Sequence, residues 1–131
     1  MNYTVIVPFY NEAKNISSFN YELINNLKKI DNGKRNLEII YVDDGSSDET
    51  FNELKKLSIN TVETLIIKHR TNLSQSAAIN TGIGQSKYEN IVIMDGDLQN
   101  DPNDLAKMVS NLKKDQICLS VGENIEKIIF F

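Results

Sequence analysis

Carboxylates stand close together at two places in this chain, Asp43-Asp44 and Asp95-Gly96-Asp97, and each group directly follows a short apolar run. Acidic groups brought to one edge repel each other, and something positive must compensate. A hard divalent cation does this: Mg²⁺ or Mn²⁺ takes one or two carboxylates, waters and the phosphate oxygens of a substrate. Asp97 suits that role, with Gly96 freeing the backbone beside it, and Asp95 can orient Asp97's surroundings or touch a ribose hydroxyl. Such a cation neutralises a diphosphate and stabilises it further as a leaving group. An Asp-x-Asp triplet is common by chance in acidic chains; its place after Ile91-Val92-Ile93-Met94 gives it weight. A third polar cluster, Pro8-Phe9-Tyr10-Asn11-Glu12, follows Val5-Ile6-Val7. Gly45, Ser46 and Asp48 are accounted for by turn and capping chemistry.

The elements that must position these groups follow from hydrophobic pattern. Val5–Val7 reads as a buried strand, Leu37–Val42, Leu65–Ile67 and Ile91–Met94 as the second, third and fourth strands, and Ile117–Val121 as a candidate fifth. Between the first two, Ile16, Phe19, Leu23, Ile24, Leu27 and Ile30 form one helical stripe. Ser46 and Glu49 have the spacing of a capping box, opening a helix that turns Phe51, Leu54 and Leu57 inward. A helix rich in small residues is expected over about 73–86. Asp101-Pro102 starts another that buries Leu105, Met108, Val109 and Leu112. Glu123 and Glu126 are expected on a short helix. Strands without alternation, each followed by a helix, imply an α/β fold with a mostly parallel sheet covered on both faces. Ligands bind such sheets outside the carboxyl ends of the strands, where all three polar clusters fall.

Length and charge bound the rest. The 131 residues, 40% apolar, suit one domain spanning 1–131. A net charge of −4 speaks against a nucleic-acid backbone as partner, but not against a single nucleotide that arrives with a cation. The lone Cys118 forms no internal disulfide and reads as a small buried hydrophobe. With no basic leader and no apolar run near the roughly 20 residues that span a bilayer, a cytoplasmic location is expected, with room for contact at the inner membrane face. The apolar end Ile128-Ile129-Phe130-Phe131 suggests self-association or membrane-surface contact.

At this point the motifs resemble a family. Val5-Ile6-Val7-Pro8-Phe9-Tyr10-Asn11-Glu12 looks like the opening of family 2 glycosyltransferases, and Val42-Asp43-Asp44-Gly45-Ser46-Ser47-Asp48 is similar to their second signature. Met94-Asp95-Gly96-Asp97-Leu98-Gln99 resembles their metal motif, in the form seen in dolichol-phosphate mannosyltransferases and polyprenyl-phosphate glycosyltransferases. The resemblance covers residues 3 to about 121. It implies a Rossmann-like GT-A domain that binds a UDP- or GDP-sugar with Mg²⁺ or Mn²⁺, for transfer to a polyprenyl-phosphate or glycan acceptor. Pro8, Tyr10 and Glu12 would line the base and ribose pocket. Asp44 would accept a hydrogen bond from the base, Asp95 would lie near ribose and phosphate, and Asp97 and Gln99 would ligate the metal.

Two departures stand against the pattern. Polyprenyl-phosphate members carry Arg-Asn-Phe-Gly-Lys before the third helix, whereas this chain has Thr71-Asn72-Leu73-Ser74-Gln75, with Arg70 one place early as a phosphate contact. The lone His69 reads as a satisfied loop residue. No acceptor-side motif follows residue 121 and no catalytic base is assigned, so a truncated donor-binding domain without turnover is the alternative to an inverting transferase. A receiver domain with a phosphoacceptor aspartate is excluded, because Ile67-Lys68 offers no aspartate after the third strand.

Overall fold

The computed structural model describes residues 2–30, 36–57, 62–96, 105, 116–121 and 124–129, the last two segments by their backbone alone. Strand β1 (Tyr3–Phe9) leads to α1 (Ile16–Lys29), β2 (Leu37–Asp43), α2 (Thr50–Lys55), β3 (Glu63–Lys68) and α3 (Gln75–Gln85), then to β4 (Ile91–Ile93), β5 (Gln116–Val121) and β6 (Asn124–Ile129). The six strands form one sheet in the order β3-β2-β1-β4-β5-β6. All pairs are parallel except β5 with β6.

Period-two geometry sorts the β1 side chains onto two faces, and both are buried. Tyr3, Val5, Val7 and Phe9 pack with Ile39, Tyr41, Val92 and Met94 against Phe19, Leu23 and Leu27 of α1, with Leu105 in the same cluster. Ile6 packs on the other face with Ile40, Val42, Ile91 and Ile93 under Ala78 of α3. Double burial explains why these strands read as unbroken apolar runs. In α1 the expected stripe faces the sheet, and Lys28 and Lys29 fall in its last turn, where cations oppose the negative end of the helix.

Strand order decides where the site lies. From β1 the chain steps outward through β2 and β3, then returns to lay β4 on the other side of β1. Loops leaving β1 and β4 therefore diverge and open a crevice between those carboxyl ends, the topological switch point. Sheet-like bonds run past the strand ends: the Asp44 amide donates to the Phe9 carbonyl at 2.9 Å, and the His69 amide to that of Asp43 at 2.8 Å. The exits of β1, β2 and β3 are thus knitted side by side.

Several expectations are corrected. The Ser46–Glu49 capping box does not form: Glu49, at the N-cap, makes no side-chain cap bond, and α2 starts at Thr50. The Ser46 hydroxyl instead donates to Asp43 Oδ1 within its own turn and accepts the Asn11 amide from 35 residues away. Leu54 is buried as expected, but Phe51 is only half-buried, with the ammonium groups of Lys55 and Lys68 4.9 and 4.8 Å from its ring centre. Glu126 lies in strand β6, not a helix, because the Asn124–Ile129 backbone pairs antiparallel with β5. Leu105 is helical and buried as expected. Met108, Val109, Leu112, Glu123, Phe130 and Phe131 lie outside the described residues. The expected fifth strand is present, and Cys118 sits in it opposite Val92.

Candidate nucleotide-sugar site

A cleft of about 320 Å³ opens at the switch point. Pro8, Phe9, Tyr10 and Glu12 line it from the β1 exit, and Asp44 from the β2 exit. Asn72, Ser74 and Gln75 line it from the β3–α3 connection, and Asp95 and Gly96 from the β4 exit. Five site residues expected from the sequence, Pro8, Tyr10, Glu12, Asp44 and Asp95, therefore share one wall system. Arg70 is exposed and stands apart from the lining. Asp97 and Gln99 lie outside the described residues.

Each wall has a local cause. Tyr10 leaves β1 half exposed, at 49%, so its ring offers an uncovered face. Asn11 then turns the chain through a left-handed conformation, φ 51°, which Asn tolerates better than most residues. Its side-chain oxygen accepts the Ser47 amide at 2.9 Å and the Asp48 amide at 3.3 Å. The Glu12 amide donates to the Thr50 hydroxyl at 2.9 Å, and Glu12's carboxylate accepts from Asn15 at 2.7 Å. These bonds clamp the first signature loop to the second.

The second loop depends on Gly45. Its φ is +70°, and a Cβ there would fall 2.2 Å from the backbone carbon of Thr71. Only glycine lets the Asp-Asp-Gly turn press against the 71–72 backbone. Asp43, fully buried, accepts the Ser46 amide at 3.1 Å and braces the turn from below. Asp48 accepts the Thr50 amide at 2.9 Å and the Ala13 amide at 3.3 Å. Slight burial works to raise the Asp48 pKa, but the Thr50 and Ala13 hydrogen bonds outweigh it and hold that carboxyl below its ordinary range.

Asp44 lies at the centre. It is 3% exposed, and its Oδ1 accepts from His69 Nδ1 at 2.8 Å and from the Leu73 amide at 3.0 Å. Its Oδ2 accepts from Asn72 Nδ2 at 3.0 Å. On its far side His69 Nε2 meets the Thr81 hydroxyl at 2.8 Å, so the ring is held at both nitrogens, as expected for a satisfied loop histidine. Across the cleft the Gln75 amide nitrogen donates to Asp95 Oδ1, joining the start of α3 to the end of β4. Gly96 packs under Phe9, whose ring would be 2.1 Å from a Cβ there.

Asn72, Ser74 and Gln75 join the lining without standing in a motif of their own, although they follow the third apolar run, where parallel-sheet geometry puts a binding edge. Glu12, Asp44 and Asp95 give the lining three carboxylates, and none of its described residues is a cation. That donor chemistry suits a hard divalent ion. Among the described residues no group of three metal-ligating side chains is assembled.

Comparison with known proteins agrees with this architecture. The family model "Glycosyl transferase family 2" matches residues 4–128, and the chain belongs to that family. Its fold is that of the GT-A glycosyltransferases. It is 33% identical over 120 residues to the dodecaprenyl-phosphate galacturonate synthase of Rhizobium johnstonii, covering 91% of this chain and 35% of that protein. Among solved structures, it resembles the Pyrobaculum calidifontis mannosyltransferase in complex with GDP-Man and Mn²⁺, with 28% identity, a TM-score of 0.64, and coverage of 82% and 31%. It also resembles S. aureus TarS 1–349 in complex with UDP, with 31% identity, a TM-score of 0.55, and coverage of 74% and 28%. The chain spans about a third of the length of the curated relatives it matches.

Proposed function

We propose that this domain binds a UDP- or GDP-sugar together with Mg²⁺ or Mn²⁺, as the donor side of an inverting transfer to a polyprenyl-phosphate or glycan acceptor. The carrying observation is the cleft at the β1/β4 switch point, whose described lining has three carboxylates and no cation. A diphosphate would be repelled by such a lining unless a metal came with it. Solved relatives hold nucleotides, and one of them holds Mn²⁺.

The described residues divide the work. Pro8 and the exposed Tyr10 ring receive base and ribose, Glu12 lies beside them, and Asp44 accepts from the base. Asp95, tethered by Gln75, faces ribose and phosphate. Arg70 reaches outlying phosphate charge from its exposed position. Asp97 and Gln99 are the residues that would hold the metal, and the ion would neutralise the diphosphate as it leaves. A phosphate acceptor needs no base, since it is already anionic, whereas a glycan hydroxyl does.

Binding and turnover are separable, and the described lining of the cleft bears on donor binding. No helix among the described residues is long and apolar enough to cross a membrane. A cytoplasmic location, with the C-terminal apolar segment touching a membrane surface or a second copy, completes the proposal. Titration calorimetry with UDP, GDP and ADP, with and without a chelator, tests it. UDP or GDP should bind more tightly than ADP and only with metal; equal binding of ADP overturns the base assignment.

A further inference from the structure

We infer that the cleft selects a nucleotide whose base carries one imide N–H, uracil or thymine, over guanine, and that His69 enforces this choice by filling Asp44. The inference rests on the donor-binding reading above and deepens it. It follows from counting acceptor sites on one carboxylate.

An ionised carboxylate only accepts, and its two oxygens offer about four lone-pair sites. Two donors already occupy Asp44 Oδ1: His69 Nδ1 at 2.8 Å and the Leu73 amide at 3.0 Å. Oδ2 takes one, Asn72 Nδ2 at 3.0 Å. One site remains, on Oδ2, and Asp44 borders the cleft. The filled oxygen is held firmly. The Leu73 amide belongs to the backbone just before α3, and the Thr81 hydroxyl fixes the His69 ring from behind at 2.8 Å. Asn72 has no hydrogen to spare either, since its amide nitrogen bonds both Asp44 Oδ2 and the Asp44 carbonyl, the latter at 3.2 Å.

Guanine presents two adjacent donors, N1–H and N2–H₂, and matches a carboxylate that is open at both oxygens. Against Asp44 it finds one acceptor, and its second donor faces an oxygen already saturated. Uracil and thymine present a single N3–H and need one acceptor. A donor left without its charged partner forfeits that hydrogen bond, so the count converts into selectivity.

The test titrates the chain with UDP, TDP and GDP in excess Mg²⁺, alongside His69→Phe and His69→Gln. The unaltered chain should bind UDP or TDP about tenfold more tightly than GDP, the cost of one missing charged hydrogen bond. His69→Phe keeps a ring but empties a site on Oδ1, so the preference should narrow at least about threefold in favour of GDP. His69→Gln returns a donor and should restore the ratio. Separate UDP and TDP titrations show which imide base is preferred. GDP binding as tightly as both pyrimidine nucleotides overturns the inference and leaves the donor reading standing. An unchanged ratio in His69→Phe overturns the part given to His69. If none of the three binds, the donor reading falls and the inference with it.

Discussion

Asn11 accepts the Ser47 backbone amide on its side-chain oxygen at 2.9 Å, across 36 positions of sequence, from a backbone with φ of 51°. One residue therefore joins the exits of β1 and β2. Asn11→Ala should lose about 2 kcal/mol of stability, roughly half from the missing hydrogen bonds and half from forcing alanine into the left-handed region. Asn11→Gly relieves the second cost and should lose less. Urea unfolding of the two variants checks this, and equal losses would show that the conformation carries no strain.

Gly45→Ala meets two obstacles, a positive φ and a Thr71 backbone carbon 2.2 Å from the new Cβ. The expected loss is about 2 kcal/mol or more, since neither chain segment can yield easily. Moving residues 71–72 also withdraws Asn72 from Asp44. Nucleotide affinity should therefore fall at temperatures where the variant is still folded by circular dichroism.

Asp48 supplies a pH dependence. Its carboxyl titrates lower when folded than its ordinary value of 3.8. A depressed carboxylate contributes its stability above the unfolded pKa and loses it as pH falls through the folded one. Asp48→Asn should therefore be less stable than the unaltered chain at neutral pH, and the gap should close below about pH 3.8. Thermal melts of both chains across that range measure the gap, and a constant difference would remove the linkage.

Metal and cap roles separate by substitution. Asp97→Asn should weaken metal-dependent nucleotide binding by more than about tenfold, through loss of a charged ligand. Asp48→Asn should leave it nearly unchanged, because Asp48 bonds the start of α2 and the Ala13 amide. Mn²⁺ titrations followed by electron paramagnetic resonance distinguish them. Equal weakening in both would mean that the division of these carboxylates is wrong.

Strands β1, β2 and β4 could be read directly because their two faces are both buried, which leaves continuous apolar runs with polar clusters at their ends. Those ends mark the edge of the parallel sheet on which the cleft lies. What escaped was long-range. Ser46 and Glu49 have capping-box spacing, yet Asp43 engages Ser46 within the turn and Asn11 engages it from 35 residues away, a bond that no local pattern reveals. Asn72 and Gln75 are illegible in sequence because they place neutral amides where the family pattern carries a cation. The Glu126 segment is a strand rather than a helix because its pairing comes from β5, in an antiparallel ladder that no local spacing shows.

The central claim is that nucleotide and metal meet at the β1/β4 switch point. Amide resonances of the ¹⁵N-labelled chain, titrated with UDP and Mg²⁺ and then with a trace of Mn²⁺, test it most directly. The account predicts shifts clustered at Tyr10, Asp44, Asn72, Gln75 and Gly96, with Mn²⁺ broadening strongest around Asp95 and Gly96. Thr4 and Lys87, whose hydroxyl and amide both donate to Glu38 near the amino ends of β1 and β2, should stay unmoved with it. Shifts centred on Thr4, Glu38 and Lys87, or Mn²⁺ broadening that ignores Gly96, would contradict it.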